Sequence, residues 1–314
     1  MQINQIHEKP AEFPWAETQT MDRLQRRTAQ LGTDLDRMLC EIIPIFPGGQ
    51  ERLGIAMRYA VVGGGKRFRA ALVIAMAELV GASYQHALRV AAAIECVHAQ
   101  SLVHDDLPCM DDSNMRRGKP ALHKAFDEAT AVLAGDALLA LAFEILGDEA
   151  THPDCGVRIR LVTALARTIG QEGMARGQTL DLYPPEVPTA EHVLACQFLK
   201  TATLIRFAVE AGAMLGDSQL IENSTLTQFA LNLGRIFQIR DDLLDQIGDE
   251  QLLGKPVGKD ALAGRPTALH LLGLDGARNE SRNLAWECEK ALNSFGPPDC
   301  LLRDITNFAV NRQH

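Results

Sequence analysis

Aromatic residues are scarce: phenylalanine, tryptophan and tyrosine supply 5% of the 314 residues. Strands favour aromatic and β-branched side chains, whereas alanine and leucine, both abundant here, favour helices. No stretch alternates polar and apolar residues as a half-buried strand would, and no short repeat recurs. The seven cysteines are odd in number and contain no C-x-x-C pair, which argues against a disulfide framework and for a reduced, cytoplasmic protein. No apolar run approaches the roughly 18 residues of a membrane span; the best candidate, AVLAGDALLALAF, is interrupted by Asp136. The N-terminal MQINQIHEKPAEFPW lacks the apolar centre of a signal peptide. Positive charge is also in deficit. With 31 Lys and Arg against 40 Asp and Glu the net charge is −9, which excludes bulk nucleic-acid binding and leaves any anionic ligand to local basic groups or metal ions.

What is present is helical periodicity from end to end. Helices are expected over 17–44, 51–62, 67–81, 84–107, 128–149, 156–182, 190–215, 218–248, 276–294 and 299–312, with Ser83, Asp154, Thr189 and Asp217 as N-caps. Gly63-Gly64-Gly65 is a strong stop after the second helix. The stretches 84–107 and 128–149 are apolar nearly all round, so they should lie centrally. No loop reads as a domain boundary. The expectation is one all-α domain over 1–314 with a loose N-terminal tail over about 1–15.

Two acidic clusters interrupt this apolar background. Residues 104–117 read HDDLPCMDDSNMRR, with Asp105, Asp106, Asp111 and Asp112 following an apolar helix. A helix C-terminus carries negative partial charge, so aspartates there cost stability. Pro108 ends the helix and lets Asp111 turn back toward Asp105. The second cluster, RDDLLD at 240–245, also follows an apolar helix; Asp241 and Asp245 share one helix face, with Asp242 about a hundred degrees away. A lone D-D-x-x-D would be read as a solvated helix face. Two such clusters, each at the end of an apolar helix, favour facing walls of one cavity that binds a divalent metal. Carboxylates without Cys or His suit Mg²⁺, which keeps waters and takes its remaining ligands from phosphates. The D-x-D-x-D-G spacing of a calcium loop is absent from both.

Basic residues stand near these clusters. GGGKRFR at 63–69 offers Lys66, Arg67 and Arg69, and is not a Walker A loop; Arg116 and Arg117 follow the first acidic cluster; Lys200, Lys255, Lys259 and Arg265 lie further on. Singly, each would be read as a surface residue. His98 alone would be read as a satisfied core histidine. No Ser-His-Asp or Cys-His arrangement suggests nucleophilic catalysis.

GGGKRFR, ECVHAQSLVHDDLPCMDDSNMRRGKP, LKTATLI, FQIRDDLLD and LGKPVGKD together resemble the trans-prenyl diphosphate synthases, in the family's motif order, from about residue 50 to 275. The resemblance implies an isoprenoid synthase fold: about ten to a dozen helices around a deep central cavity. It implies a homodimer, three Mg²⁺ ions, and condensation of isopentenyl diphosphate with an allylic diphosphate (dimethylallyl or geranyl) to a short-chain prenyl diphosphate such as farnesyl diphosphate. Asp105 and Asp111 match metal ligands of the first motif and Asp241 of the second; Asp106 stands beside the first ligand and Asp245 supports from the same face as Asp241. Lys66, Arg69, His98 and Arg117 match isopentenyl diphosphate contacts. Arg116, Lys200 and Lys255 match allylic diphosphate contacts, and Arg265 takes the place of a family Lys. Thr201 and Gln238 match groups along the reacting carbons.

Product length should depend on residues four and five before Asp105, Ser101 and Gln100, since one helical turn rises about 5.4 Å, roughly one isoprene unit. Many farnesyl synthases of this branch carry an aromatic where Gln100 stands, so a twenty-carbon product is open as well. A non-catalytic partner subunit would usually have lost one acidic motif, and a class I terpene cyclase would lack GGGKRFR and LGKPVGKD; both acidic motifs and both basic groups are present.

Overall fold

A computed structural model describes residues 17–46, 51–187, 189–216, 224–247 and 268–312. Apart from one tiny hairpin these are helices and their connections. Helix α1 (Glu17–Ile42) buries Leu31, Leu35 and Leu39, an i, i+4 stripe. Helix α2 (Arg52–Val61) runs into the glycine triplet, where Gly63 and Gly65 take φ of 70° and 85°. Helix α3 (Phe68–Leu79) is buried from Phe68 to Ala77 except at Arg69. Helix α4 (Tyr84–Asp105) buries Ala87 through Cys96 almost without a break. These two are the central helices, and small side chains let neighbours approach them closely. On Gly212 of α10 (Thr203–Met214) a Cβ would stand 2.7 Å from the Val73 carbonyl oxygen of α3. One continuous apolar cluster then joins α1 to the C-terminal helices α11 (Ser224–Ile247), α12 (Ala268–Phe295) and α13 (Leu301–Asn311).

The structure departs from the sequence expectation at several points. Helix α6 (Glu128–Gly147) covers α4 on one face only: Val132 and Leu133 are 41% and 58% exposed, so it is peripheral rather than central. It is long and apolar enough to cross a membrane, with mean hydropathy 1.8, but half of it is buried against the rest of the fold. The helix expected over 156–182 is two, α7 (Cys155–Ile169) and α8 (Met174–Leu182). Gly173 makes the break: a Cβ there would lie 1.8 Å from the Thr168 carbonyl oxygen. Helix α12 begins earlier than expected and kinks at Gly273, φ 67°. Asp154 and Thr189 cap their helices by accepting from the Gly156 and His192 amides, whereas Ser83 stands at its N-cap position without a side-chain bond. Asp217 lies outside the described residues. The unforeseen cap is Asp127, which accepts from the Thr130 amide at 2.7 Å and starts α6.

A strand pair occurs where none was expected: β1 (Met115–Arg116) pairs antiparallel with β2 (Lys119–Pro120). The loop between them is Arg117-Gly118, both at positive φ (52° and 73°), which is the two-residue turn that suits hairpin twist. The short helix α5 (Leu122–Ala125) follows.

Candidate active site

The first acidic cluster is built by the way α4 ends. The Asp106 amide still donates to the Leu102 carbonyl, but the chain then turns back, and the Asp111 amide donates to the Asp105 carbonyl at 2.8 Å. Asp112 takes φ 44°, a left-handed conformation uncommon outside glycine. The two carboxylates that begin the cluster differ. Asp106 is 2% exposed and receives both Nε and Nη2 of Arg116. Asp105 faces elsewhere: burial first pushes its carboxyl up to about 6, Lys200 pulls it down, and Asp111 pushes it up again. A half-buried carboxylate beside another carboxylate is what a divalent cation would relieve. Among the described residues, no three His, Cys, Asp or Glu side chains converge closely enough to hold an ion alone. That donor set suits Mg²⁺, which completes its shell from water and phosphate.

The glycine triplet positions the cations. Arg117 lies across it: a Cβ on Gly65 would meet the Arg117 Cζ and Nη2 at 3.0 Å. Gly63–Gly65, Asp106, Arg116, Arg117 and Lys119 line a cavity of about 210 Å³ between α2 and α4. The arginines of GGGKRFR divide by orientation. Arg67, 5% exposed and at φ 50°, points inward, donating to Glu95 at 2.9 Å, Asp36 at 2.6 Å and the Val61 carbonyl at 2.8 Å. Arg69 turns the other way. Its Nε is sealed from solvent and has no partner, and burial lowers its affinity for its proton, with Glu95 and Asp241 opposing and Arg312 and Arg117 reinforcing. Burial also depresses His98 well below the ordinary histidine range, helped by Arg69 and Arg117. Burial likewise lowers Arg117. Thus Arg117 opposes the charge of Arg69, both arginines oppose charge on His98, and Glu95, itself paired with Arg67, favours the charge of both arginines. Lys66 is exposed on the same loop.

The helix expected over 190–215 is interrupted by a π-turn, Phe198–Ala202, between α9 (Ala190–Gln197) and α10; Lys200 and Thr201 sit in it. Such turns recur at functional sites because they re-aim side chains within a helix. Two glycines admit the wider turn. A Cβ on Gly177 of α8 would stand 2.4 Å from the Lys200 amide nitrogen, and one on Gly234 of α11 would stand 2.6 Å from the Ala202 Cβ. Lys200 Nζ donates to Asp181 on α8 at 2.6 Å.

The second acidic cluster lies on α11. Asp241 accepts from Arg312 Nη2 at 2.6 Å. Asp242, 3% exposed, accepts from Gln238 and Gln197, each at 2.8 Å, and Asp245 is 8% exposed. Asp241 favours the charge of Arg69, and Lys200, while donating to Asp181, favours ionisation of Asp105. Lys255, Lys259 and Arg265 lie outside the described residues, so the basic wall they were expected to add is not part of this geometry.

Arg312 is the site residue that sequence reasoning missed. It follows α13, its side chain is 3% exposed, and its guanidinium stacks on Phe237 at 3.9 Å while donating to the Phe237 carbonyl at 2.9 Å. Its Nε is buried without a partner. Nothing in VNRQH marks it; the only available signal was the amphipathic α13 that carries it to α11.

A family model for polyprenyl synthetases matches residues 50–293. The chain is 43% identical over 249 residues to geranylgeranyl pyrophosphate synthase 9, chloroplastic, of Arabidopsis thaliana, covering 77% of this chain and 69% of that protein. It is 39% identical over 261 residues to the farnesyl diphosphate synthase of Bacillus subtilis (strain 168), covering 82% and 88%. The crystal structure of an FPP/GFPP synthase from Zymomonas mobilis superposes with a TM-score of 0.82 at 42% identity, covering 92% of this chain and 99% of that one. The chain therefore belongs to the polyprenyl synthetase family and has its all-α isoprenoid synthase fold. It is a prenyltransferase, a short-chain trans-prenyl diphosphate synthase.

Proposed function

We propose that this enzyme condenses isopentenyl diphosphate with dimethylallyl or geranyl diphosphate and releases farnesyl diphosphate, as a cytoplasmic homodimer that uses three Mg²⁺ ions. The observation that carries the two-diphosphate reading is the pair of charge imbalances. Arg69, Arg117 and His98 crowd together with a buried, unpartnered Arg69 Nε, while Asp105 and Asp111 crowd together nearby. A diphosphate on the cations and a metal-bound diphosphate on the aspartates would satisfy both.

In this reading Asp105, Asp111 and Asp241, supported by Asp245, hold the Mg²⁺ ions, which supply charge stabilisation to the leaving pyrophosphate. Lys200, with Lys255 and Arg265, binds the allylic diphosphate; Lys66, Arg69, His98 and Arg117 bind isopentenyl diphosphate. Asp106 pairs with Arg116 in the structure, as Asp241 pairs with Arg312; in this reading Asp106 flanks the Mg²⁺ ligands and Arg116 joins the allylic diphosphate contacts. When the allylic C–O bond breaks, its electrons pass to pyrophosphate and a carbocation forms. The Thr201 hydroxyl and Gln238 carbonyl face it with oriented oxygen and no strong nucleophile. The isopentenyl alkene attacks, and the adjacent proton leaves to pyrophosphate, so no protein base is needed.

The fifteen-carbon product is supported by the seam between α4 and α6. His104, immediately before Asp105, bridges the two helices with its Nε2 3.2 Å from the Val132 carbonyl, and Gln100 Nε2, one turn earlier on α4, lies 3.1 Å from His104 Nδ1. A twenty-carbon product is favoured by the absence of an aromatic at Gln100 and by the small Ser101. A dimer is supported by the exposed Val132 and Leu133 of α6, and a cytoplasmic location by seven cysteines that form no disulfide. Purified protein with Mg²⁺, isopentenyl diphosphate and each primer should yield fifteen-carbon alcohol after phosphatase treatment. Only twenty-carbon alcohol would overturn the chain length, and no product with any primer would favour a non-catalytic subunit.

The two arginines of the loop give a contrasting pair. Arg67→Ala strands the buried Glu95 and should cost about 3–5 kcal/mol of stability. Arg69→Ala should leave the melting temperature within a few degrees, yet raise KM for isopentenyl diphosphate by about tenfold or more with KM for the allylic primer unchanged. Thermal melts and steady-state kinetics separate the two. Equal destabilisation by both variants would contradict the division of roles.

A further inference from the structure

We propose that Asp242 is a positioning residue, which turns the Gln238 amide so that its carbonyl oxygen, rather than its NH₂ group, is left for the electron-poor carbons; this rests on the reading of Gln238 given above. Asp242 is 3% exposed and sits one helical turn after Gln238 on α11. Its Oδ1 accepts from Gln238 Nε2 at 2.8 Å and its Oδ2 from Gln197 Nε2 at 2.8 Å. Both carboxylate oxygens of Asp242 thus act as acceptors, and each glutamine presents its nitrogen to one of them. The reversed amide would set oxygen against oxygen and forfeit a hydrogen bond to the buried Asp242. The nitrogen of Gln238 is therefore committed, and its free end is the carbonyl. Gln197 immediately precedes the π-turn, so the same carboxylate ties the turn bearing Lys200 and Thr201 to α11. Within RDDLLD the neighbours thus divide the work: Asp241 meets Arg312, and Asp242 aims an amide.

The test fixes residue 242 as asparagine and reverses its direction from the far side. In Asp242→Asn/Gln197→Glu, the new carboxylate draws the Asn NH₂ group, and the Asn oxygen faces Gln238 as Asp242 did. In Asp242→Asn/Gln197→Lys, the ammonium draws the Asn oxygen, and the NH₂ group faces Gln238 and turns its amide over. The first double variant should keep kcat within about fivefold of the unaltered enzyme. The second should lose about a hundredfold in kcat, the order seen for one misplaced transition-state contact, with KM for both diphosphates within twofold. Gln238→Leu should lose a similar factor in kcat at similar KM. Equal kcat in the two folded double variants overturns the proposal; where a double variant fails to fold by circular dichroism, Asp242→Ala serves, and it should lower kcat with KM for both diphosphates unchanged, an unchanged kcat overturning the proposal as well. Failure of the reading beneath it shows differently, as unchanged kcat in Gln238→Leu or absence of condensation by the unaltered enzyme.

Discussion

Asp105→Asn is expected to abolish turnover while making the metal-free protein more stable. The carboxyl of Asp105 is raised from 3.8 to about 6, chiefly by burial. Its folded-state affinity for a proton therefore exceeds its unfolded one. Its contribution to stability is fully present below the unfolded value and is lost as pH rises through about 6. At pH 8 the metal-free fold carries an ionised, half-buried carboxylate beside Asp111. A rise of this size corresponds to about 3 kcal/mol at most; partial exposure reduces this to about 1–2 kcal/mol. The neutral amide removes that penalty, so the melting temperature at pH 8 should rise by about 2–4 °C, and the difference should vanish near pH 4. The same substitution removes a carboxylate from the proposed metal-binding wall, so kcat should fall by about a thousandfold or more. Calorimetry at pH 4 and pH 8 in chelator, with steady-state assays in Mg²⁺, measures both. A variant less stable than the unaltered protein at pH 8, or one with ordinary turnover, would contradict the assignment.

Gly177→Ala should be nearly as damaging from a position without a charge or a reactive group. The added methyl would stand 2.4 Å from the Lys200 amide nitrogen, 2.7 Å from the Leu199 carbonyl carbon and 2.8 Å from the Lys200 Cα. All three are backbone atoms, so no rotamer change relieves the contact, and the π-turn must shift by several tenths of an ångström. Overpacking of this kind costs about 1–3 kcal/mol. Misplacement of Lys200 and Thr201 by this amount should lower kcat about a hundredfold. Alanine is the better helix former, by about 1 kcal/mol over glycine, so a structural view that ignores the contact expects the opposite sign for stability. Thermal melts and kcat for Gly177→Ala, compared with an Ala substitution at the open Gly147, decide between them.

The parts of this molecule legible in sequence are those that depend on local pattern. Apolar periodicity marks α1 through α4, and Pro108 marks the end of α4. The five motifs give the family outright. What stayed hidden depends on contacts between segments distant in the chain. The π-turn at Phe198–Ala202 leaves the helical period almost undisturbed, because it is set by backbone crowding across a packed interface; the break at Gly173 is local, made against the Thr168 and Arg167 carbonyls, and leaves the apolar pattern equally undisturbed. The hairpin of Met115–Arg116 and Lys119–Pro120 is too short to alternate, and its signal lies only in the turn residues Arg117-Gly118. Among the site residues, motif position could not show that Arg67 pairs with the buried Glu95 while Arg69 lies over Phe237, because the division is made by a left-handed residue and a buried Glu95. Nor could it show that Arg116 is occupied by Asp106, or that Arg312 reaches Asp241.

The most direct measurement is a crystal structure of the enzyme soaked with Mg²⁺, isopentenyl diphosphate and a non-cleavable thio analogue of an allylic diphosphate. The account predicts metal–oxygen distances of about 2.0–2.1 Å from Asp105, Asp111 and Asp241 to ions that share the analogue's phosphates, with the second diphosphate against Arg69, Arg117 and His98. Asp241 still paired to Arg312, with no ion on Asp105 and the diphosphates bound elsewhere, would contradict it.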